Sequence, residues 1–355
     1  MAVKISVQPF GEWEGRTVNK YTITEVSGIQ VSLINYGATV TSMIVPDKTG
    51  APADVVLGFE TMEGYIDSGR HYFGGICGRY ANRIAGAKFR INGHEYHLSK
   101  NEHTLSLNTG ISCLHGGFQG FDKKFWEAEI LPEGNAVRFF YESKDGEEGF
   151  PGNMKVEVTY IVADHALQVE YCATTDKASP INITNHCYFN LSGGNDKDIL
   201  NHELQLESDK ILEVDEKLIP TGNMLYVKDT AMDFRHSRKI DSATNGSFEG
   251  YDYSWVLEKK NGELTKAVSL VHPPTGRKMT VYTTQPAVHF YSGHFLDGNL
   301  IDTKKGKEYG KFAGLCLETQ HFPDSPNHPG FPDTIVQPGE MYTEKTIFSF
   351  EPMHR

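Results

Sequence analysis

Met154-Lys155-Val156-Glu157-Val158-Thr159-Tyr160 and, a short turn later, Leu167-Gln168-Val169-Glu170-Tyr171-Cys172-Ala173 decide the fold class. In both, apolar side chains take every second position. Successive side chains on a strand point to opposite faces, so this pattern buries one face and wets the other. Met279-Thr280-Val281-Tyr282 and Thr346-Ile347-Phe348-Ser349-Phe350 repeat it. Turn pairs punctuate the runs at Asn92-Gly93, Asp145-Gly146, Pro151-Gly152, Asn261-Gly262 and Asp297-Gly298. Asn92-Gly93, between Ala87 to Ile91 and His94 to Leu98, reads as a hairpin. No long stretch keeps a 3.6-residue apolar period. The best helix candidate, Thr61 to Ser68, is about two turns. The pattern predicts an all-β fold with few short helices, a large antiparallel β-sandwich rather than a closed barrel.

Composition narrows the function. The chain has 355 residues, with 34 Lys and Arg against 46 Asp and Glu, a net charge of −12. Such a surface repels phosphate backbones and anionic lipid, so neither nucleic acid nor membrane is an expected partner. No apolar run reaches the length of a membrane span, and Met1 to Ser6 lacks the pattern of a secretory signal. Five scattered cysteines without a C-x-x-C pair fit buried, reduced thiols, so a cytoplasmic location is expected. No Pro/Ser-rich linker, charge block or repeat divides the chain, which predicts one domain over residues 1–355.

Standard cofactor motifs are missing. Gly74-Gly75-Ile76-Cys77-Gly78 lacks the dinucleotide spacing and a following helix. His94-Glu95-Tyr96-His97 is not H-E-x-x-H, and on a strand its two histidines face opposite sides, so no metal site is expected. Three segments are harder to explain as scaffold. Gly78-Arg79-Tyr80-Ala81-Asn82-Arg83-Ile84, with the later Leu114-His115-Gly116-Gly117, supplies donors for an oxygen-rich ligand. Asn182 to Leu191 surrounds His186 with amides and aromatics, which predicts an imidazole held in one orientation. Leu315 to Asp324 places Glu318 in an apolar run, where an ionised carboxylate is costly unless paired or functional. Each has a plainer alternative. His115 and His186 can be hydrogen-bonded structural histidines, and Arg79 or Arg83 can pair with a surface carboxylate. Glu318 can equally be the outward residue of an alternating strand whose Leu315, Leu317 and Thr319 share the other face.

Together these segments resemble the aldose 1-epimerases, the galactose mutarotases, over nearly the whole chain. Asn35-Tyr36-Gly37-Ala38 and Asp54 to Gly58 open the likeness. Leu317-Glu318-Thr319-Gln320, His328-Pro329 and Pro338-Gly339-Glu340 close it, and the block Asn182 to Leu191 looks like the family signature. The resemblance implies a galactose mutarotase-like supersandwich with an open sugar cleft, acting on free aldohexoses such as galactose and glucose without a cofactor, as monomer or homodimer. It implies Glu318 as catalytic base, His186 as catalytic acid and His115 as a second active-site histidine. Asn82, Arg83, Asp252 and Gln285 are implied as contacts to sugar hydroxyls. Phe290, Tyr291, Phe322 and Trp255 are candidates to stack on the sugar. Cys113, Cys187, His289, His294 and the Tyr253-Ser254 pair depart from the family pattern and bear on which aldose is preferred.

The chemistry suits those residue types. Opening a cyclic hemiacetal needs a proton taken from the O1 hydroxyl and one given to the ring oxygen. A carboxylate and an imidazolium can do both, and reclosure on the other face of C1 reverses the steps. Three rivals are a non-catalytic sugar-binding or regulatory module of the same fold, a hexose-phosphate epimerase, and a glycoside hydrolase using Glu318 and Asp252.

Overall fold

The computed structural model describes residues 3–26, 28–102, 111–241, 249–260 and 262–352. Asn261 of the Asn261-Gly262 turn lies outside them. Three antiparallel sheets carry most of the chain. The nine-stranded sheet runs in the order Glu127–Ile130, Ala136–Ser143, Met154–Ala163, Ala166–Thr175, Tyr342–Pro352, Arg277–Thr283, Thr265–His272, Glu203–Leu206 and Arg238–Lys239. The six-stranded sheet runs Tyr188–Phe189, Leu315–Gln320, Ala287–Tyr291, Asp252–Val256, Lys210–Val214 and Pro220–Tyr226. A five-stranded sheet, Val3–Trp13 to Pro52–Asp54, follows chain order.

The alternating segments form the strands they predict. Val156 faces Ala173, Val158 faces Tyr171, and Tyr160 faces Val169. Their inward side chains join one apolar cluster that also takes Val31, Leu33 and Met43 from the five-stranded sheet. Trp255, Val288, Phe290, Leu315 and Leu317 enter it from the six-stranded sheet. One large core shared between sheets, with three smaller apolar clusters beside it, is a sandwich rather than a barrel. Asn92 and Gly93 turn the expected hairpin, both with positive φ (51° and 80°), as a two-residue hairpin turn requires. The helix candidate forms over Met62–Asp67, with the Thr61 hydroxyl accepting from the Gly64 N–H at 3.2 Å. No helix among the described residues is long and apolar enough to cross a membrane.

Both faces of the central strand Leu315–Gln320 are covered, and every one of its residues is buried. Leu315 and Leu317 enter the core, and Thr319 bonds Thr346 of the nine-stranded sheet at 2.6 Å. The opposite face carries Cys316, Glu318 and Gln320. Glu318 is thus on the face that alternation predicts, but that face does not look onto bulk water. Next to it, His289 pairs with Glu318, Tyr291 with Cys316, Ser254 with His289 and Asp252 with Tyr291. A run of polar residues therefore lines the face of the six-stranded sheet turned away from the core.

Away from that face, His202 is wholly buried, its ring tilted against that of His272 with centroids 4.8 Å apart. Its Nε2 accepts from the Leu191 N–H at 2.9 Å. Burial, with His272 beside it, pulls the imidazole down to about 3, and burial pulls His71 down to about 4. An unfolded histidine titrates near ~6.5, so below that pH the unfolded chain binds protons the folded one does not, and stability falls with pH. The urea midpoint is expected to drop already between about pH 6.5 and 5, ahead of most carboxylates, and His202→Gln is expected to flatten that slope. A midpoint constant across the window would contradict this.

Candidate active site

Loops from far along the chain close over the polar face. Arg83–Ala85 pairs with Ser112–Leu114, which brings Asn82 and Arg83 beside His115. Asn82 and His115 both adopt left-handed backbone (φ 63° and 50°) and bond reciprocally. The Asn82 carbonyl accepts from the His115 N–H, and the Asn82 N–H donates to His115 Nδ1, each at 3.1 Å. Gly116 follows with φ 90°; a Cβ there would sit 1.9 Å from the Gly78 carbonyl oxygen, so only glycine fits.

His186 is held by its backbone. Its N–H donates to the Gly75 carbonyl at 3.0 Å, and its carbonyl accepts from Gly74 at 2.9 Å. The amides of its segment serve the scaffold. Asn185 donates to the Gly74 carbonyl, Asn190 to the Ala313 carbonyl, and Asn182 both donates to Ala81 and accepts from His321 N–H. Rings of Tyr72, Tyr188 and His115 lie 5.6, 5.2 and 5.2 Å from the imidazole. His186 Nε2 is 3.6 Å from Glu318 Oε1, while the other oxygen, Oε2, is buried without a partner among the described residues. Such an acceptor is costly to leave unmatched, so this oxygen is an open position for a donor from a ligand.

Electrostatics fix several charges. Burial first, then repulsion from His186 and Arg83, pushes His115 well below the ordinary histidine range. Because Nδ1 accepts from Asn82, the neutral ring carries its proton on Nε2 and is a donor. The ligand atoms of His115, His186 and Glu318 lie within 4.8 Å of one another. A protonated Nε2 offers no lone pair to a metal, so the donor set falls one short of the three protein ligands of a catalytic zinc.

Arg83 is buried between carboxylates, 2.7 Å from Glu102 and 3.6 Å from Asp252. Burial alone would lower its guanidinium, but Asp252 and Glu102 more than offset that. Burial alone would raise Asp252, yet Arg83 and the hydrogen bond to His289 hold it well below the usual carboxylate range. His289 links Asp252 Oδ1 at 2.6 Å to the Ser254 hydroxyl at 2.9 Å. Ser112 bonds the second Glu102 oxygen.

The structure thus gathers Glu318, His186, His115, Asn82, Arg83 and Asp252. Gln285 is placed elsewhere. It is fully buried, and its Nε2 bonds the Ile183 carbonyl at 3.3 Å and the Tyr342 hydroxyl at 3.1 Å. Its Oε1, like Glu318 Oε2, is buried with no partner among the described residues, while His289, which the sequence reading counted only as a departure from the family pattern, stands on the polar face opposite Glu318. Strand alternation signals that face, since His289 lies between the core residues Val288 and Phe290. Glu102 and Tyr72 carried no sequence signal. Arg79 is scaffold, its guanidinium donating to the carbonyls of Ser143, Lys144 and Pro151. Of the four aromatics, Trp255 and Phe290 belong to the main core and Phe322 packs on Phe331. Tyr291 alone takes the polar face, against Tyr188 and His294.

Comparison with known proteins agrees with this architecture. The family model described as aldose 1-epimerase matches residues 19–349. A galactose mutarotase of Mus musculus is 43% identical over 351 residues, covering 98% of this chain and 99% of the relative. An aldose 1-epimerase of Escherichia coli K12 is 37% identical over 346 residues, covering 95% of this chain and 96% of that one. The crystal structure of a GalM/aldose epimerase homologue from C. elegans superposes with a TM-score of 0.84 at 30% identity, covering 93% of this chain and 97% of the other. The chain belongs to the aldose 1-epimerase family.

Replacing Arg83 tests the charge balance directly. Arg83→Met leaves Glu102 and Asp252 buried without their cation, and breaking a buried pair in this way typically costs ~3–5 kcal/mol. Urea denaturation is expected to show a loss of that order. A change under about 1 kcal/mol, the scale of an exposed pair, would show the cluster to be solvated.

Proposed function

We propose that this protein is a cofactor-independent mutarotase, interconverting the α and β anomers of free aldohexoses such as galactose and glucose. The observation that carries the reading is the buried Glu318, in reach of His186 and with one oxygen unmatched. The two oxygens that react in a pyranose, O1 and the ring oxygen, are attached to one carbon. An acid and a base a few ångströms apart can therefore serve both.

Glu318 takes the O1 proton; the O–H electron pair becomes the C1=O1 π bond, and the C1–ring-oxygen bond breaks. The ring oxygen receives a proton from His186 Nε2. Rotation about C1–C2 presents the other face of the aldehyde, and the same groups return the protons as the ring closes. His115 donates from Nε2 as a neutral hydrogen-bond donor. Arg83, Asp252, Asn82 and His289 meet the sugar hydroxyls, which would otherwise be buried at a cost. The reading takes residues 1–355 as one domain, working in the cytoplasm as monomer or homodimer; the large apolar cluster shared by the three main sheets fits a single domain.

The state of Asp252 bears on the rivals. An anion held by Arg83 and His289 cannot be the acid of a glycosidase, so in that rival Asp252 would have to be the nucleophile or base while already engaged by both partners. It also repels a substrate phosphate, and Arg83 is already shared by two carboxylates. A binding module has no need of a carboxylate facing an imidazole.

Polarimetry of freshly dissolved α-D-galactose and α-D-glucose tests the proposal. The protein is expected to speed the decay of rotation, and Glu318→Gln to reduce kcat by ~10²-fold or more. Unaccelerated decay, or full activity of Glu318→Gln, would reject it.

A further inference from the structure

His186 has a second ring nitrogen, and the same strand that carries Glu318 also reaches it. Cys316 and Glu318 stand two residues apart on Leu315–Gln320, so their side chains share a face. Cys316 Sγ lies 3.5 Å from His186 Nδ1, and Glu318 Oε1 lies 3.6 Å from Nε2. One strand therefore brackets one imidazole, thiol on one nitrogen and carboxylate on the other.

We propose that Cys316 is a positioning residue for the reaction: its sulfur receives the Nδ1–H of His186, aims Nε2 at the reacting oxygens, and keeps the imidazolium a ready acid because sulfur is a weak acceptor. The inference rests on the mutarotase reading for its catalytic meaning, but the contact itself does not.

The chemistry of the Nδ1 partner sets how readily the ring releases its Nε2 proton. A ring nitrogen opposite a carboxylate or carbonyl is the common arrangement, and it stabilises the charged ring. Such a partner would oppose loss of the Nε2 proton. A thiol orients the ring without that penalty. Cys316 has no exposed surface, and burial, with Glu318 adding to it, drives the thiol far above its ordinary range. It stays S–H, so no thiolate traps the cation. The other groups facing His186 are Glu318, His115, Tyr72 and Tyr188, with Asp122 and His71 within electrostatic reach. Among the described residues none of these hydrogen-bonds Nδ1, which meets Cys316 Sγ.

Protons balance without the thiol. On ring opening Nε2 gives its proton to the ring oxygen while Nδ1 keeps its own, directed at sulfur; on closure Nε2 recovers the proton. Cys316 exchanges nothing with the sugar.

Cys316→Ala and Cys316→Ser separate orientation from packing. The titration of His186 is followed by NMR on protein labelled with ¹⁵N at histidine, alongside the polarimetric pH profile. Serine, a better acceptor, is expected to move the His186 midpoint up by about half a pH unit or more, and alanine to move it down. Cys316→Ala is expected to lose about tenfold in kcat, the scale of a misaimed group, with KM within about twofold. Midpoints that coincide with the unaltered protein in both variants, or activity lost only in step with folded protein, would overturn the proposal. The NMR readout needs no turnover. An unmoved titration with mutarotation intact therefore defeats this inference alone, whereas a shifted titration without mutarotation supports the contact and defeats the functional reading.

Discussion

A carboxylate on a strand covered on both faces is the constraint around which the rest is arranged. Glu318 is 2% exposed and lies between apolar neighbours. An ionised group there must find partners or a task. The sheet supplies part of the answer through register, setting His289 opposite it and Cys316 two places along. Distant loops supply the remainder by delivering His186 and His115. Backbone contacts at Gly74, Gly75 and Asn82 fix these two imidazoles before any ligand arrives, which is the preorganisation acid–base chemistry needs.

The polar groups divide into a fixed part and an unspent part. Arg83, Glu102, Asp252, His289 and Ser254 satisfy one another in a chain of ion pairs and hydrogen bonds. Such a network is costly to break once buried, so it forms a rigid wall. Glu318 Oε2 has no partner among the described residues. His115, a neutral donor by tautomer, stands next to it. The wall suits recognition, and the unsatisfied groups suit proton transfer.

How much of this the sequence discloses depends on the range of the interaction. Alternation is local, so the strands, the Asn92-Gly93 hairpin, the short helix and even the face taken by Glu318 are legible in the chain. Whether that face meets water is not, because its cover comes from segments more than a hundred residues away. The same limit explains Gln285 and His289. A motif match draws attention to the amide in the Thr283-Thr284-Gln285-Pro286 turn, whereas only the pairing of Ala287–Tyr291 with Leu315–Gln320 sets His289 opposite Glu318. The amides around His186 read as holding its ring and act instead on the backbone, bonding the carbonyls of Gly74, Ala313 and Ala81. Glu102 sits in no recognisable pattern, and its role exists only because Arg83 is folded against it. The thiol at Cys316 reads as inert filler until the second nitrogen of His186 is placed beside it.

The account stands on one spatial relation, and a crystal structure of the protein with a bound aldohexose examines it most directly. The account predicts O1 of the pyranose within hydrogen-bond distance of Glu318 and the ring oxygen within the same reach of His186 Nε2, about 2.6–3.2 Å in each case. A sugar seated with C1 remote from both groups, its hydroxyls held by the Arg83–Asp252 wall alone, would contradict it.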